Sequence, residues 1–287
     1  MIPPRLRPEI EAVTGHVEHA ASVGGGSFGQ GLRLEAERGT FFLKLGDGET
    51  LGAEAVGLSA LGEAAERTGL RIPRVFHARS RDPGFLVLDW IPSGRADRAY
   101  WIRLGEGLAA LHRKEPAGEG YGFSSDNFIG ATPQVNGWSA DWPAFFRDRR
   151  LRPQFELARR KGRWRRGWDR WAERFLGSLE DLLPRTPERS LLHGDLWGGN
   201  HLPGEDGSPW LIDPAVYVGH READLAMTEL FGGFAASFYE AYRASWPLDP
   251  GYPERREVYN LYHLVNHLNL FGESYAASVE RILARFG

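Results

Sequence analysis

Short alternating and apolar runs occupy the first third of the chain and predict β-strands. Four such runs follow an amphipathic opening at 6–13, and they lie at residues 32–36, 40–45, 73–77 and 85–91. Turn-forming residues separate them, as is usual between strands. One helix interrupts the strands over 51–67, because apolar residues recur there at three- and four-residue spacing. The pattern therefore predicts a strand-rich region with one main helix.

Helical spacing dominates from about residue 98 onward. Apolar residues recur at this spacing in seven segments, 102–112, 142–160, 164–175, 222–231, 235–246, 255–271 and 274–286. A polar and aromatic loop over 121–138 separates the first two, and Pro92-Ser93-Gly94 is predicted to be a hinge. The sequence therefore predicts an α+β chain with an N-terminal lobe over 1–92 and a mostly helical C-terminal lobe over 93–287.

Two acids and an amide are predicted to lie at strand ends. The segment 191–200 begins with apolar residues, breaks at a glycine and presents Asp195, with Asn200 five residues later. A second apolar run ends at Asp213. Such a set suits phosphoryl transfer, in which one carboxylate accepts a hydroxyl proton while an amide and a second carboxylate hold Mg²⁺. An ordinary turn would explain Asp195 and Asn200 alone, but the position of Asp213 favours the catalytic interpretation.

A glycine-rich segment admits several interpretations. Its members are Gly24, Gly25, Gly26, Ser27, Phe28 and Gly29. It fits a dinucleotide-binding fingerprint and a hydrolase nucleophile elbow with Ser27 as nucleophile, and both require a helix directly after the glycines. It also fits a loop between two antiparallel strands, either an inert hairpin or a flap over ATP phosphates. The alternation over 32–36 predicts a strand there and favours the flap.

Lysine is scarce, and one lysine lies on a predicted strand. Of the 35 basic residues, all but three are arginine, and the lysines are Lys44, Lys114 and Lys161. Lys44 lies near the end of the run 40–45, where a kinase places the lysine that contacts the α- and β-phosphates. Glu54, on the following helix, is its predicted partner. Backbone groups of Asp89, Trp90 and Ile91, just before the hinge, are predicted to bind an adenine edge.

Composition narrows the function classes. With 287 residues the chain can form two lobes. Its 35 basic and 38 acidic residues give a net charge of −3, so nothing global points to nucleic acid or membrane as a partner. Cysteine is absent, which excludes disulfides, thiol nucleophiles and thiolate metal sites. No apolar run has membrane-spanning length and the N-terminus lacks the apolar core of a signal peptide, so a cytoplasmic location is predicted.

Two further features have structural and functional interpretations. A basic run over 147–174 is interleaved with Trp, a pattern that could bind nucleic acid. The helical spacing of its aromatic residues instead favours an amphipathic helix pair with a solvated basic face. His263 and His267 are one helical turn apart but lack the glutamate of a zinc-protease helix. They are predicted to be core or pocket-lining residues.

The ordered set of glycine loop, lysine, glutamate, hinge and acids resembles the protein-kinase-like fold of small-molecule kinases. Longer stretches resemble the fructosamine-3-kinase family, and they lie at 121–123, 126–130, 133–138, 150–154, 193–200, 213–215, 217–226 and 231–234. The resemblance covers nearly the whole chain. It implies a bilobal fold with an antiparallel sheet in the N-terminal lobe.

The resemblance also implies an activity. It points to ATP-dependent phosphorylation of a sugar hydroxyl, typically O3 of a ketosamine formed by glycation of an amine or of a protein lysine. By this analogy Asp195 is the base, Asn200 and Asp213 bind Mg²⁺, and Lys44 and Glu54 position the phosphates. Another kinase of the aminoglycoside or choline type, or a nucleotide-binding protein without catalysis, is the alternative.

The acceptor side is predicted in less detail. Trp197 follows the base by two residues and is predicted to pack on the sugar or to be a core aromatic. Polar residues of the 121–138 loop are candidates for the acceptor pocket or its supporting loop, namely Asp126, Asn127, Gln134 and Asn136. Asp224 is predicted to brace the catalytic loop.

Overall fold

The computed structural model describes residues 1–24 and 29–287. The predictions for Gly25, Gly26, Ser27 and Phe28 therefore lie outside the described residues. On either side of them, strands β1 (Val17–Val23) and β2 (Gln30–Ala36) pair antiparallel. Because a strand and not a helix follows Gly29, the dinucleotide-binding and hydrolase-elbow interpretations are wrong.

Five antiparallel strands form the N-terminal sheet, in the order β1-β2-β3-β5-β4. The remaining strands and the helices of this region are β3 (Gly39–Gly46), β4 (Val75–Arg79), β5 (Gly84–Asp89), α1 (Arg7–Thr14) and α2 (Gly48–Ala65). The four predicted strands and the one main helix are confirmed. The strand β1 was not predicted, and Asp47 caps α2 by accepting a 2.8 Å hydrogen bond from the amide of Thr50.

The alternation of β3 determines which face of the sheet carries the functional lysine. Phe41, Leu43 and Leu45 are buried in a cluster that includes Leu6 and Ile10 around α1. The opposite face packs on α2, whose Leu51, Ala55 and Leu58 form a buried cluster with Leu86 and Leu88. Because successive side chains of a strand point to opposite faces, Phe42 and Lys44 lie on the α2 side.

Helices form most of the second half of the chain. They are α3 (Arg98–Arg113), α4 (Trp142–Phe145), α5 (Arg152–Arg160), α6 (Trp168–Leu182), α7 (Glu222–Leu230), α8 (Ala236–Ser245), α9 (Tyr252–Phe271) and α10 (Ala276–Phe286). A π-helix at Phe146–Leu151 joins α4 to α5, and a 3₁₀ turn at Glu273–Tyr275 precedes α10. Each of the seven predicted helical segments overlaps a helix of the structure, but the predicted 142–160 helix contains the π-helix and the predicted 164–175 helix begins only at Trp168.

Three two-stranded sheets interrupt the helices. Their strands are β6 (Asn127–Ile129) with β7 (Thr132–Gln134), β8 (Arg189–Leu192) with β11 (Tyr217–His220), and β9 (His201–Pro203) with β10 (Pro209–Leu211). The first pair lies inside the segment that was predicted as a loop. With helices and antiparallel sheets in one chain, the α+β fold class is confirmed.

The Trp stripe is only partly helical. Trp168 and Phe175 are fully buried in the helical core, as predicted. Trp164 precedes α6, because Gly167 has a positive φ of 96° and ends the preceding turn. Its ring centroid lies 5.2 Å from that of Trp168, so it packs against the core from the turn.

The chain divides into two compact units. The first holds Met1–Leu108, Gly199–Pro214 and Ala235–Ala241, and the second holds Ala109–Gly198, Ala215–Phe234 and Tyr242–Gly287. These units are not the predicted lobes, and the lobe boundary near residue 92 stays a prediction. Within the described part of the chain, no helix is both long and apolar enough to cross a bilayer.

Candidate active site

In the first unit, Lys44 joins two predicted site carboxylates. Its Nζ donates to Glu54 Oε2 at 2.7 Å and to Asp213 Oδ1 at 2.9 Å. Strand β3 supplies the lysine and α2 the glutamate, while Asp213 follows β10. The Lys44–Glu54 partnership predicted from sequence is therefore present. Glu54 lies in the second turn of α2, since the helix begins at Gly48, ahead of the predicted start.

Burial makes these charges depend on each other. Burial alone would lower the pKa of Lys44, but the carboxylates of Glu54 and Asp213 outweigh it and raise the pKa above its ordinary value. Burial and the negative charge of Asp213 raise the pKa of Glu54, and the ammonium of Lys44 opposes that rise. The side chain of Asp213 is 37% exposed, against 9% for Glu54. Asp213 is thus the carboxylate that solvent or a ligand reaches.

A two-stranded ladder brings the two predicted metal ligands together. Strands β9 and β10 pair with His201 opposite Leu211, and the amide of Ile212 donates to the carbonyl of Asn200 at 3.1 Å. Asn200 directly precedes β9 and Asp213 follows β10, so both residues lie at the same end of this antiparallel ladder. The side-chain amide of Asn200 also donates to the backbone carbonyl of Asp213 at 3.4 Å. Asp213 has a φ of 52°, a left-handed conformation that non-glycine residues seldom adopt outside functional or turn positions.

In the second unit, the turn that carries Asp195 is shaped by close backbone packing. Gly194 has a φ of 82°, and a Cβ at this position would lie 2.0 Å from the carbonyl oxygen of Ala215. Only glycine fits there. The amide of Ala215 donates to the carbonyl of His193 at 2.8 Å, which joins the two segments. Asp195 follows directly and is partly exposed, as a residue that meets a substrate must be.

Asp224 braces this turn, as predicted. Its Oδ2 accepts from the amide of His193 at 2.7 Å and its Oδ1 from the amide of Gly194 at 2.9 Å. His112 Nε2 lies 3.3 Å from Oδ2, and Nδ1 lies 2.9 Å from the Tyr242 hydroxyl. Burial alone would raise the pKa of Asp224, but these hydrogen bonds and the nearby imidazoles hold it below its ordinary value. The carboxylate therefore stays ionised inside the protein.

Replacing Asp224 with asparagine is expected to lower the free energy of unfolding by about 3 kcal/mol, because an amide cannot accept both backbone N–H groups as a carboxylate does. Urea unfolding at neutral pH measures this. The contribution exists above the unfolded-state pKa, whose ordinary value is 3.8, and is lost as the pH falls through the lower folded-state pKa. The two proteins should therefore converge in stability in strong acid. Equal stability at neutral pH would contradict the bracing role.

Three of the four loop residues predicted for the acceptor side form a buried amide network. Gln134 Nε2 donates to Asn127 Oδ1 at 2.8 Å and to the carbonyl of Ala215 at 3.0 Å. Asn127 Nδ2 donates to the carbonyl of Val216 at 2.8 Å. Asn136 is completely buried and donates to Asn127 Oδ1 at 2.9 Å. These contacts favour the supporting-loop alternative over direct contact with the acceptor.

The fourth loop residue and a buried arginine complete this support. Asp126 Oδ1 accepts from the amide of Asn136 at 2.7 Å. Arg150, which is fully buried, donates to Asn136 Oδ1 at 2.7 Å, and its guanidinium lies 3.9 Å from the ring centroid of Tyr217. Tyr262 donates to Gln134 Oε1 at 2.7 Å. Sequence reasoning assigned no role in this network to Arg150 or Tyr262, because the pattern of the chain does not show which buried amides they contact in the folded protein.

The remaining predicted residues occupy defined places. Trp197 is half-buried, and its amide donates to the carbonyl of Asp195 at 3.2 Å. At the end of β5, Asp89 Oδ2 accepts from the amide of Arg74 at 2.7 Å. The guanidinium of Arg33 lies 5.2 Å from the ring centroid of Trp90. Of the glycine segment, only Gly24 and Gly29 lie within the described residues.

The fold defines a class of protein. A choline kinase from Streptococcus pneumoniae superposes with a TM-score of 0.67 over 98% of each chain, at 16% sequence identity. At this identity the likeness shows the fold alone. The chain thus has the bilobal protein-kinase-like fold, with an antiparallel N-terminal sheet, one main N-terminal helix and a mostly helical remainder.

Closer comparisons identify the family. A proposed fructosamine-3-kinase from Thermobifida fusca is 31% identical, with a TM-score of 0.84 over 98% of each chain. A probable ketoamine kinase from Synechocystis is 41% identical over 97% of this chain and 94% of its own length. A chloroplastic protein-ribulosamine 3-kinase from Oryza sativa subsp. indica is 36% identical over 92% of this chain and 77% of its own length.

The family model for fructosamine kinases matches residues 7–286. The chain belongs to the fructosamine kinase family, and it is therefore a kinase that uses ATP.

Proposed function

We propose that this kinase transfers the γ-phosphoryl group of ATP to a sugar hydroxyl, O3, of a ketosamine. The observation that carries the proposal is the Lys44–Glu54–Asp213 arrangement in a chain that is 41% identical to a probable ketoamine kinase. The related chloroplastic protein is named for ribulosamine on proteins. The proposed acceptors are fructose-, ribulose- and erythrulose-derived adducts of free amines or of protein lysines.

Lys44 holds the α- and β-phosphates by charge, and Glu54 keeps the ammonium in place. The 2.7 Å contact and the buried glutamate fix the direction of the lysine side chain before nucleotide arrives. Such preorganised charge is more effective than mobile charge, because it costs no reorganisation during the reaction. The glycine segment is proposed to cover the phosphates with backbone N–H groups. The adenine edge is assigned to the carbonyl of Asp89 and to the Trp90–Ile91 backbone.

Asn200 and Asp213 fit a magnesium ion by their chemistry. Mg²⁺ takes oxygen ligands and is usually held by one or two carboxylates together with substrate phosphates. The β9–β10 ladder places a carboxylate and an amide at one end, and Asp213 is exposed enough to be reached. When bound, the metal would neutralise charge on the phosphates. Asn200 and Asp213 would hold it, and Lys44 would contribute a second positive charge beside Asp213.

Asp195 is the proposed base. As the O3–Pγ bond forms and the bond from Pγ to the bridging oxygen of ADP breaks, the hydroxyl proton passes to the Asp195 carboxylate. The turn holds this carboxylate through Asp224 and the tight passage at Gly194. Trp197, next to the base and half-buried, is proposed to pack against the sugar ring. The amide network of Asn127, Gln134 and Asn136 supports the segment at 215–216 behind this turn.

An acceptor panel tests the proposal. The protein is incubated with ATP, Mg²⁺ and, separately, fructosyl-lysine, ribulosyl-lysine, erythrulosyl-lysine, choline and an aminoglycoside, and ADP release is followed. Turnover with one or more ketosamines and none with choline or the aminoglycoside is expected. Turnover with choline or the aminoglycoside alone would move the protein to another kinase branch. ATP binding without transfer to any acceptor would favour a nucleotide-binding protein.

A further inference from the structure

Four aromatic side chains of the second unit form a partly exposed cluster, here called the aromatic surface. Its members are Phe231, His267, Phe271 and Tyr275. The ring centroid of His267 lies 4.7 Å from that of Phe231, 5.3 Å from that of Phe271 and 5.1 Å from that of Tyr275. Phe231 is 40% exposed and Phe271 is 52% exposed. A single exposed phenylalanine is ordinary, but two in one aromatic group indicate a contact surface.

The histidine at the centre of this group is uncharged. Burial lowers the pKa of His267 below its ordinary value. Its Nδ1 lies 2.9 Å from the carbonyl oxygen of His263, and because a carbonyl only accepts, the ring proton is on Nδ1. The aromatic surface therefore presents neutral rings. Their faces can contact an apolar group or a cation, but they carry no positive charge that would attract an anion.

A glycine contact places the aromatic surface next to the catalytic turn. A Cβ on Gly198 would lie 3.3 Å from the carbonyl oxygen of Gly232, and one on Gly233 would lie 3.2 Å from the Cα of Gly198. Phe231 directly precedes this pair of glycines. Gly198 is three residues after Asp195, a span of at most about 11 Å even for extended chain. The glycine contact thus joins the segment that carries Phe231 to the segment that carries the proposed base.

Helix α9 gives a second link between the same two places. Tyr262 lies near the middle of α9, and burial raises its pKa above the ordinary value. The negative charge of Asp195 adds to that rise, so this part of the helix lies within electrostatic range of the proposed base. His267 and Phe271 are five and nine residues further along α9. At 1.5 Å per residue they lie about 7.5 and about 13.5 Å further along the axis. The helix therefore connects the surroundings of the base with the aromatic surface.

We propose that the aromatic surface is the subsite for the amine-side substituent of the ketosamine. The inference rests on the proposed function, because it assigns the non-reacting half of the same acceptor. A ketosamine joins its sugar to a secondary amine that is protonated at neutral pH and that carries an alkyl or aryl group. With the sugar hydroxyl at Asp195, the substituent extends several bonds away. Aromatic rings cover an apolar chain and attract the adjacent ammonium through their faces.

This assignment predicts selectivity among acceptors that share one sugar. Fructosamines carrying an N-hexyl or N-benzyl group should be phosphorylated with a higher kcat/KM than fructosyl-glycine, whose substituent is short and carboxylated. In Phe231→Ala and Phe271→Ala, the ratio of the two kcat/KM values should fall about tenfold, since each change removes a whole phenyl ring from the subsite. Phe271→Leu, which keeps apolar area but removes the aromatic face, should give an intermediate ratio.

The ratio is measured within each variant, so the concentration of folded enzyme cancels. The matched control is Val56→Ala, which removes another exposed apolar side chain, on α2, and should keep the unmodified ratio. An unchanged ratio in Phe231→Ala and Phe271→Ala, with ketosamine turnover intact, would overturn the subsite alone. If the unmodified protein turned over no ketosamine at all, the proposed function would fail, and the subsite with it.

Discussion

Asp195→Asn is expected to lower kcat with a ketosamine at least about 100-fold, the usual size of a general-base contribution. Asparagine has nearly the same shape but cannot take the hydroxyl proton. The turn itself should be unchanged, because Asp224 and not Asp195 holds its backbone. We therefore expect the KM for ATP and the urea midpoint to stay close to those of the unmodified protein. Steady-state kinetics and equilibrium unfolding measure both.

The control for this change is another carboxylate in the same unit. Asp181 is exposed near the end of α6, and Asp181→Asn should leave kcat unchanged. If Asp195→Asn kept a tenth or more of the activity while Asp181→Asn was silent, the transfer would not depend on a base at this position.

Lys44→Met is expected to reduce kcat/KM for ATP about 100-fold or more, because the cation that we propose to face the phosphates is lost. It should also lower the free energy of unfolding by about 3 kcal/mol. The side chain of Glu54 is 9% exposed, and the substitution leaves its buried charge next to Asp213 without a counter-ion. Kinetics at varied ATP and urea unfolding separate these two effects.

A double substitution distinguishes catalysis from stability. Lys44→Met with Glu54→Gln removes the unpaired buried charge, so stability should recover while activity stays low. Lys161→Met is the matched control, because Lys161 donates to the carbonyl of Asn269 in the other unit. Recovery of activity together with stability in the double variant would show that Lys44 acts only on the fold.

Local patterns predicted the parts of the candidate site that lie on regular elements. Lys44 was found from its position on a strand and its rarity, and Glu54 from the apolar spacing of α2. Both inferences need only the periodicity of one element, because a strand or helix fixes which side its residues face. The contact of Lys44 with Asp213 instead joins two residues that are 169 positions apart in the sequence. Motif spacing predicted Asp213 as a metal ligand but did not predict its contact with Lys44, which forms only when the ladder β9–β10 folds.

Edge strands and polar networks were harder to predict. Strand β1 lies at the edge of the sheet, and only Val17 of its residues is buried, so no clean alternation marks it. The sequence predicted a role in the acceptor pocket or its supporting loop for Asn127, Gln134 and Asn136. Which of the two roles they have depends on their hydrogen-bond partners in the folded chain. Arg150 supplies one of those partners from the π-helix, and an isolated basic run cannot show which arginine is buried. Tertiary contacts decide such cases.

The identity and position of the transferred phosphate test the account most directly. The protein is incubated with fructosyl-lysine, ATP and Mg²⁺, and the product is analysed by ³¹P–¹H correlation spectroscopy, with Asp195→Asn in parallel. We predict one phosphate ester coupled to the proton on C3, formed by the unmodified protein and nearly absent with the variant. A phosphate on another hydroxyl would contradict the assignment of O3. No phosphorylated ketosamine, with ATP bound and an aminoglycoside or choline phosphorylated instead, would contradict the ketosamine kinase assignment altogether.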